Sequence, residues 1–157
     1  MTIIENLTRP DIRRKASVKR RKGERGQSLI ELALSITAIM LLLAGAVDFS
    51  IAYFSYTAMQ DAAQEGALYG SINPNDVAGI ETRVRSASTN PVDLSDVGLV
   101  DVDVSFSSAN PCEGDDVTVL VTYKYPISMP FIGSIIGSQT ITLKASVTDT
   151  ILQPVCP

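Results

Sequence analysis

The rhythm of apolar and polar residues changes twice along this chain. Leu32 to Val47 is a run of sixteen residues without a charge, interrupted only by Ser35 and Thr37. Leu29 and Ile30 lengthen it to nineteen, with Glu31 inside. At 1.5 Å per residue such a helix is about 28 Å long, close to the ~30 Å hydrocarbon thickness of a bilayer. The run predicts a transmembrane segment over about 29–47. The helical period persists beyond it. From Gly26 no proline occurs until Pro74, and Ala52, Tyr56, Met59, Ala63, Gly66 and Gly70 recur on one stripe. Thr57, Asp61, Gln64 and Glu65 fall off that stripe. One helix over 27–70 is therefore expected, its first half in lipid and its second half amphipathic in water. Small residues on the stripe would let a sheet approach closely.

Ser71-Ile72-Asn73-Pro74-Asn75 reads as a turn. Val77, Ile80, Val84 and Ala87 predict a short second helix, capped by Asn75 or Asp76 and ended by Thr89-Asn90-Pro91. The period then shortens to two. Val100, Val102, Val104 and Phe106 alternate with Asp101, Asp103, Ser105 and Ser107. Val117, Val119, Val121 and Tyr123 do the same, and so do Ile141, Leu143, Ala145 and Val147. Asn110 to Asp115 is expected as the first connection. Pro126 to Ser138 is the second, longer and more apolar. Tyr123 and Tyr125 with Pro126, Met129, Pro130 and Phe131 form a concentrated apolar loop, read as a core lid or a contact with a neighbour. A three-stranded antiparallel sheet with one face on the long helix accounts for the pattern, an α+β fold.

Charge changes the picture next. The formal net charge of −4 averages two unlike parts. Residues 1–26 hold nine basic and three acidic residues, while residues 27–157 hold four basic and fourteen acidic. The basic flank on the N-terminal side of the apolar run sets an orientation, N-terminus in the cytoplasm and C-terminus outside. That role explains the basic arm better than nucleic-acid binding does, so no nucleic-acid partner is expected. The chain has no His and two Cys, which argues against a catalytic triad, a zinc site or a CxxC redox centre. No phosphate-binding glycine loop is present. Asp101 and Asp103, and Glu113 with Asp115 and Asp116, read as solvated strand and turn faces rather than a Ca²⁺ site. No enzyme activity, metal, cofactor or small-molecule substrate is expected. Outside the cytoplasm Cys112 and Cys156 are expected to pair. Closing that loop would add roughly 4 kcal/mol on the chain-entropy model.

The most informative stretch is Arg25-Gly26-Gln27-Ser28-Leu29-Ile30-Glu31-Leu32. A carboxylate this close to an apolar span is costly and is a functional candidate by default. A glycine after a basic run, a carboxylate five residues on and then an apolar helix resembles the cleavage region of type IV pilins and pseudopilins. Gly45-Ala46-Val47-Asp48-Phe49 and Ala58-Met59-Gln60-Asp61-Ala62-Ala63-Gln64-Glu65-Gly66-Ala67 make the closer match the TadE-like proteins of tight-adherence pilus systems. Leu32, where the related major pilins often have Tyr, points to a minor or pseudopilin-like subunit.

The resemblance implies a pilin-like α+β fold. It divides the chain into a basic cytoplasmic leader at 1–26, the long helix at 27–70 and an exported small α+β domain at 71–157. A prepilin peptidase would cut after Gly26 and make Gln27 the new N-terminus. Glu31 would neutralise the freed α-amine of a neighbouring subunit, because two unpaired charges in lipid cost more than a pair. The implied partners are the bilayer, the peptidase and other pilin or pseudopilin subunits. The implied place is the cytoplasmic membrane or the pilus surface. Asp48 reads as the solvated outer boundary of the span. Two alternatives share the same residues. Ala44-Gly45-Ala46 also complies with a signal-peptidase site, whose product would be a secreted protein beginning at Val47. An unprocessed membrane anchor with an exported binding domain is the other.

Overall fold

The computed structural model describes residues 24–128 and 137–153. In chain order these form α1 (Glu24–Ile72), α2 (Val77–Ser86), β1 (Val100–Phe106), β2 (Asp116–Pro126) and β3 (Thr140–Thr150). The strands form one antiparallel sheet in the order β1-β2-β3. The fold is α+β, with a long apolar N-terminal helix. The chain divides into two compact units, with the boundary between Ala38 and Ile39 inside α1. In the first unit, residues 26–38 are helical and exposed throughout.

The second unit holds the core. Its α1 face is made of Met59, Ala62, Ala63 and Ala67, joined by Ile80 and Val84 of α2 and by Val92 and Leu94. The sheet supplies Val100, Val117, Val119, Val121, Tyr123, Tyr125 and Ala145. Strand register explains the selection. Val119 lies between Val104 and Val147, and Val121 between Val102 and Ala145, so one face collects the β-branched side chains. Full burial of each β2 valine contributes about 1.5–3 kcal/mol relative to exposure.

Two details of the helix stripe differ from the sequence pattern. Tyr56 is 38% exposed, and Ser55 is buried in its place. Three residues from Ala52 and four from Met59, Ser55 lies nearer the middle of the inward face than Tyr56 does. The close approach at the glycines also involves α2 more than the sheet. A Cβ at Gly66 would fall onto the Val84 side chain. One at Gly70 would lie 2.9 Å from Ile80 Cδ1 and 3.2 Å from Val117 Cγ2.

The connection from α1 to α2 is built from capping. Asn73 precedes Pro74, a position that disfavours helix, and α1 ends at Ile72. Asp76, rather than Asn75, caps α2. Its Oδ1 accepts the Gly79 N–H at 3.0 Å and its Oδ2 accepts the Tyr69 hydroxyl at 2.8 Å. That hydroxyl bond to a carboxylate pushes the Tyr69 pKa up. Arg83 lies over the Tyr69 ring, 5.2 Å from its centroid, and pairs with Glu65 at 3.7 Å. Arg85 bonds Glu81 at 2.8 Å and the Leu94 carbonyl at 3.2 Å, tying the segment before β1 to α2.

The end of the described chain returns to α1. Ile151 N–H donates to the Asp115 carbonyl, and Leu152 N–H to the Ser71 carbonyl, both at 2.7 Å. The β1–β2 turn needs Gly114 at φ +93°. Within it, the Asp115 carboxylate accepts the Cys112 N–H at 3.0 Å. Tyr123 and Tyr125, grouped in the sequence with the apolar loop after β2, both belong to β2 itself and extend its inward row. Pro126 is the last strand residue. Met129, Pro130 and Phe131 lie outside the described residues.

Candidate functional site on the apolar helix

The sequence singles out Gly26, Gln27 and Glu31, and all three lie near the start of α1. Gln27 and Glu31 are four residues apart, so they share one helix face about 6 Å apart along the axis. Nothing lies within 4 Å of the position a Gly26 Cβ would take. Glu31 is exposed and makes no hydrogen bond or ion pair among the described residues. Every residue from Gly26 to Leu43 is exposed. Leu29 is 67% exposed, and Ile30, Leu32, Leu34, Ile36, Ile39, Met40 and Leu41 to Leu43 are exposed with it. This is far more apolar side chain than a water-facing helix leaves uncovered. The helix is long and apolar enough to cross a bilayer.

Two hydroxyls near this stretch bond back to the helix. Thr37 Oγ1 donates to the Ala33 carbonyl at 2.9 Å, and Ser50 Oγ to the Ala46 carbonyl at 2.7 Å. Bonding back to the helix lets these residues enter an apolar medium without an unpaired donor. Beyond Val47 come Phe49, Tyr53 and Phe54, all exposed, with Tyr53 and Phe54 edge to face at 6.2 Å. Such residues suit a headgroup layer.

Asp48 is half-buried. Its backbone carbonyl accepts the Tyr125 hydroxyl at 3.2 Å, a link from α1 to the end of β2 that no local pattern announces. Burial pushes the Tyr125 and Tyr123 hydroxyls to higher pKa. The two rings meet edge to face at 6.2 Å.

The remaining candidates do not converge. Asp101 and Asp103 are exposed on the outer face of β1, and Asp115 is occupied in holding its turn. Among the described residues no group of three or more His, Cys, Asp or Glu is placed to hold a metal ion. Cys112 sits in the β1–β2 turn and is not a free thiol. Cys156 lies outside the described residues, as does the basic segment 1–23.

Residues 26–68 match the model of the TadE-like protein family. The match begins at the glycine expected to precede the cut and spans Ala44-Gly45-Ala46. It lies wholly within α1 and stops before α2 and the sheet. The TadE-like family is a structural, pilus-related family. No curated protein and no solved structure matches the chain.

Proposed function

We propose that this chain is a single-pass TadE-like minor pilin or pseudopilin, a structural or assembly subunit of a tight-adherence pilus or a related secretion apparatus. The observation that carries the reading is the coincidence of two things on α1. The stretch that matches the TadE-like model begins with the stretch whose apolar side chains are wholly uncovered. In this reading the basic arm stays in the cytoplasm, residues 29–47 cross the cytoplasmic membrane, and the α+β head is exported. A prepilin peptidase cuts after Gly26. The α-amine of Gln27 then lies in the membrane, and Glu31 of a neighbouring subunit neutralises it. Lateral packing of apolar helices holds the subunits together, and the ion pair sets their axial register. Outside the cytoplasm, Cys112 pairs with Cys156 and pins the chain end.

N-terminal sequencing of the mature protein tests the cut. Gln27 as first residue supports it, whereas Val47 supports a secreted product. Gly26→Leu is expected to block maturation. Glu31→Ala is expected to leave membrane insertion intact and to abolish co-assembly with other subunits. Wild-type assembly by that variant would refute the neutralising role.

A further inference from the structure

The end of the head nearest Asp48 is apolar in a way the core does not require. A groove of about 200 Å³ opens there, lined by Gly45, Asp48, Phe49, Ala52, Tyr125, Ile127 and Ile141. Phe49 is 73% exposed and Ile141 is 43% exposed, although Ile141 has the inward parity of its strand. The turn before β1 adds exposed Val97 and Leu99 at the same end of the sheet, where the Leu99 carbonyl accepts the Lys124 N–H at 2.9 Å. The β1–β2 turn at the opposite end presents Ser107, Asn110 and Glu113 instead. Exposed Leu68 and Ile72 lie about 30 Å further along α1, out of reach of the same layer.

What covers this end is set by where it lies. Gly45 and Phe49 flank the point at which the apolar run of α1 stops, so the groove continues the surface assigned above to lipid. The Tyr125 hydroxyl on the Asp48 carbonyl holds the end of β2 at that level. Tyr125 itself is buried, so it ties the sheet to α1 at this level and leaves Phe49 and Ile141 as the exposed side chains. Charges nearby are mixed, Lys124 and Lys144 against Asp48, Asp96 and Asp101, so the contact is apolar rather than electrostatic.

We infer that this end of the head is seated in the outer headgroup–acyl boundary of the bilayer, with Phe49, Ile127, Ile141 and Val97 against lipid. The head would then be docked on the membrane surface rather than carried free above it. The inference rests on the membrane reading of α1 and goes beyond it.

The chain contains no Trp, so single tryptophans are clean reporters. Leu42→Trp, Phe49→Trp, Ile141→Trp and Ser105→Trp would be made in the full chain. Each would be reconstituted in zwitterionic phosphatidylcholine vesicles with brominated acyl chains. Leu42→Trp, Phe49→Trp and Ile141→Trp are expected to lose most of their emission to bromine quenching, at low and high salt alike. Ser105→Trp, on the outer face of β1, is expected to keep its emission. Val97→Trp repeats the Ile141 test at a position 77% exposed, where the fold tolerates the ring. Water-like, unquenched emission at 141 and 97 with quenching at 42 overturns docking and leaves the span standing. Blue-shifted but unquenched emission at 141 and 97 means that protein covers this end, and it overturns docking too. An unquenched Leu42→Trp overturns the membrane reading together with the docking.

Discussion

Residues 26–47 and 52–71 belong to one helix and are covered in opposite ways. The first stretch presents Leu, Ile and Met on every side and buries none of them. The second alternates exposed Gln60, Asp61, Gln64 and Glu65 with buried Met59, Ala62, Ala63, Gly66 and Ala67. The difference is one of side-chain size as well as polarity. Large apolar residues all round find no cover among the described residues, and the cover proposed for them is lipid or another subunit. Small residues on one stripe bring backbones together, and α2 and β2 pack into the space that Gly66 and Gly70 leave. Stability of the head is thus expected to depend on the second stretch and to ignore the first.

Ile80 gives that contrast its sharpest test. It is fully buried and faces both glycines of α1. Ile80→Ala is expected to cost the head about 2–5 kcal/mol, from lost transfer energy plus the cavity. Leu42→Ala removes a comparable side chain from an exposed site, and is expected to stay within about 0.5 kcal/mol. Chemical denaturation of the detergent-solubilised chain, followed by circular dichroism of the head, measures both. Equal losses would break the comparison.

A smaller effect is expected at the α1–α2 connection. Asp76→Ala removes the cap of α2 and the acceptor for Tyr69, at a cost of about 1 kcal/mol. Asp76→Asn keeps a capping oxygen and should recover most of that loss. If the two variants unfold alike, the carboxylate's charge matters and capping geometry does not.

Much of this was legible in residue spacing. The helix, its break before Pro74, the short second helix and the parity of all three strands follow from periods of 3.6 and 2. What spacing misses are contacts between distant residues. Tyr125 groups by composition with the apolar loop that follows it, yet it pairs with Ile141 in the sheet and reaches Asp48. Gly66 signalled close approach without naming α2 as the element that approaches. Tyr56 and Ser55 are neighbours in sequence, and a four-residue step favours one where the packed helix buries the other. Glu31 shows the remaining limit. Its cost in an apolar medium is readable from position, but the charge that offsets it is proposed to belong to another molecule, beyond what one chain displays.

Ser55 and Ser71 carry the comparison to its finest scale. Both are buried on the inward face of α1, each 1% exposed. Ser71 Oγ donates to the Leu68 carbonyl at 2.8 Å. Ser55 Oγ has no hydrogen-bond partner among the described residues. Truncating the two therefore has opposite signs. Ser71→Ala gives up a made bond and is expected to cost about 0.5–1.5 kcal/mol. Ser55→Ala removes a hydroxyl that lost water and gained nothing, and alanine has the better helix propensity. A gain of up to about 1 kcal/mol is expected, with a matching rise in the melting temperature of the head. A loss at Ser55 equal to that at Ser71 would show that the hydroxyl is satisfied, by ordered water or by a second subunit laid against α1. Repeating the measurement on the monomer in detergent separates those two, because only the subunit contact disappears on dilution.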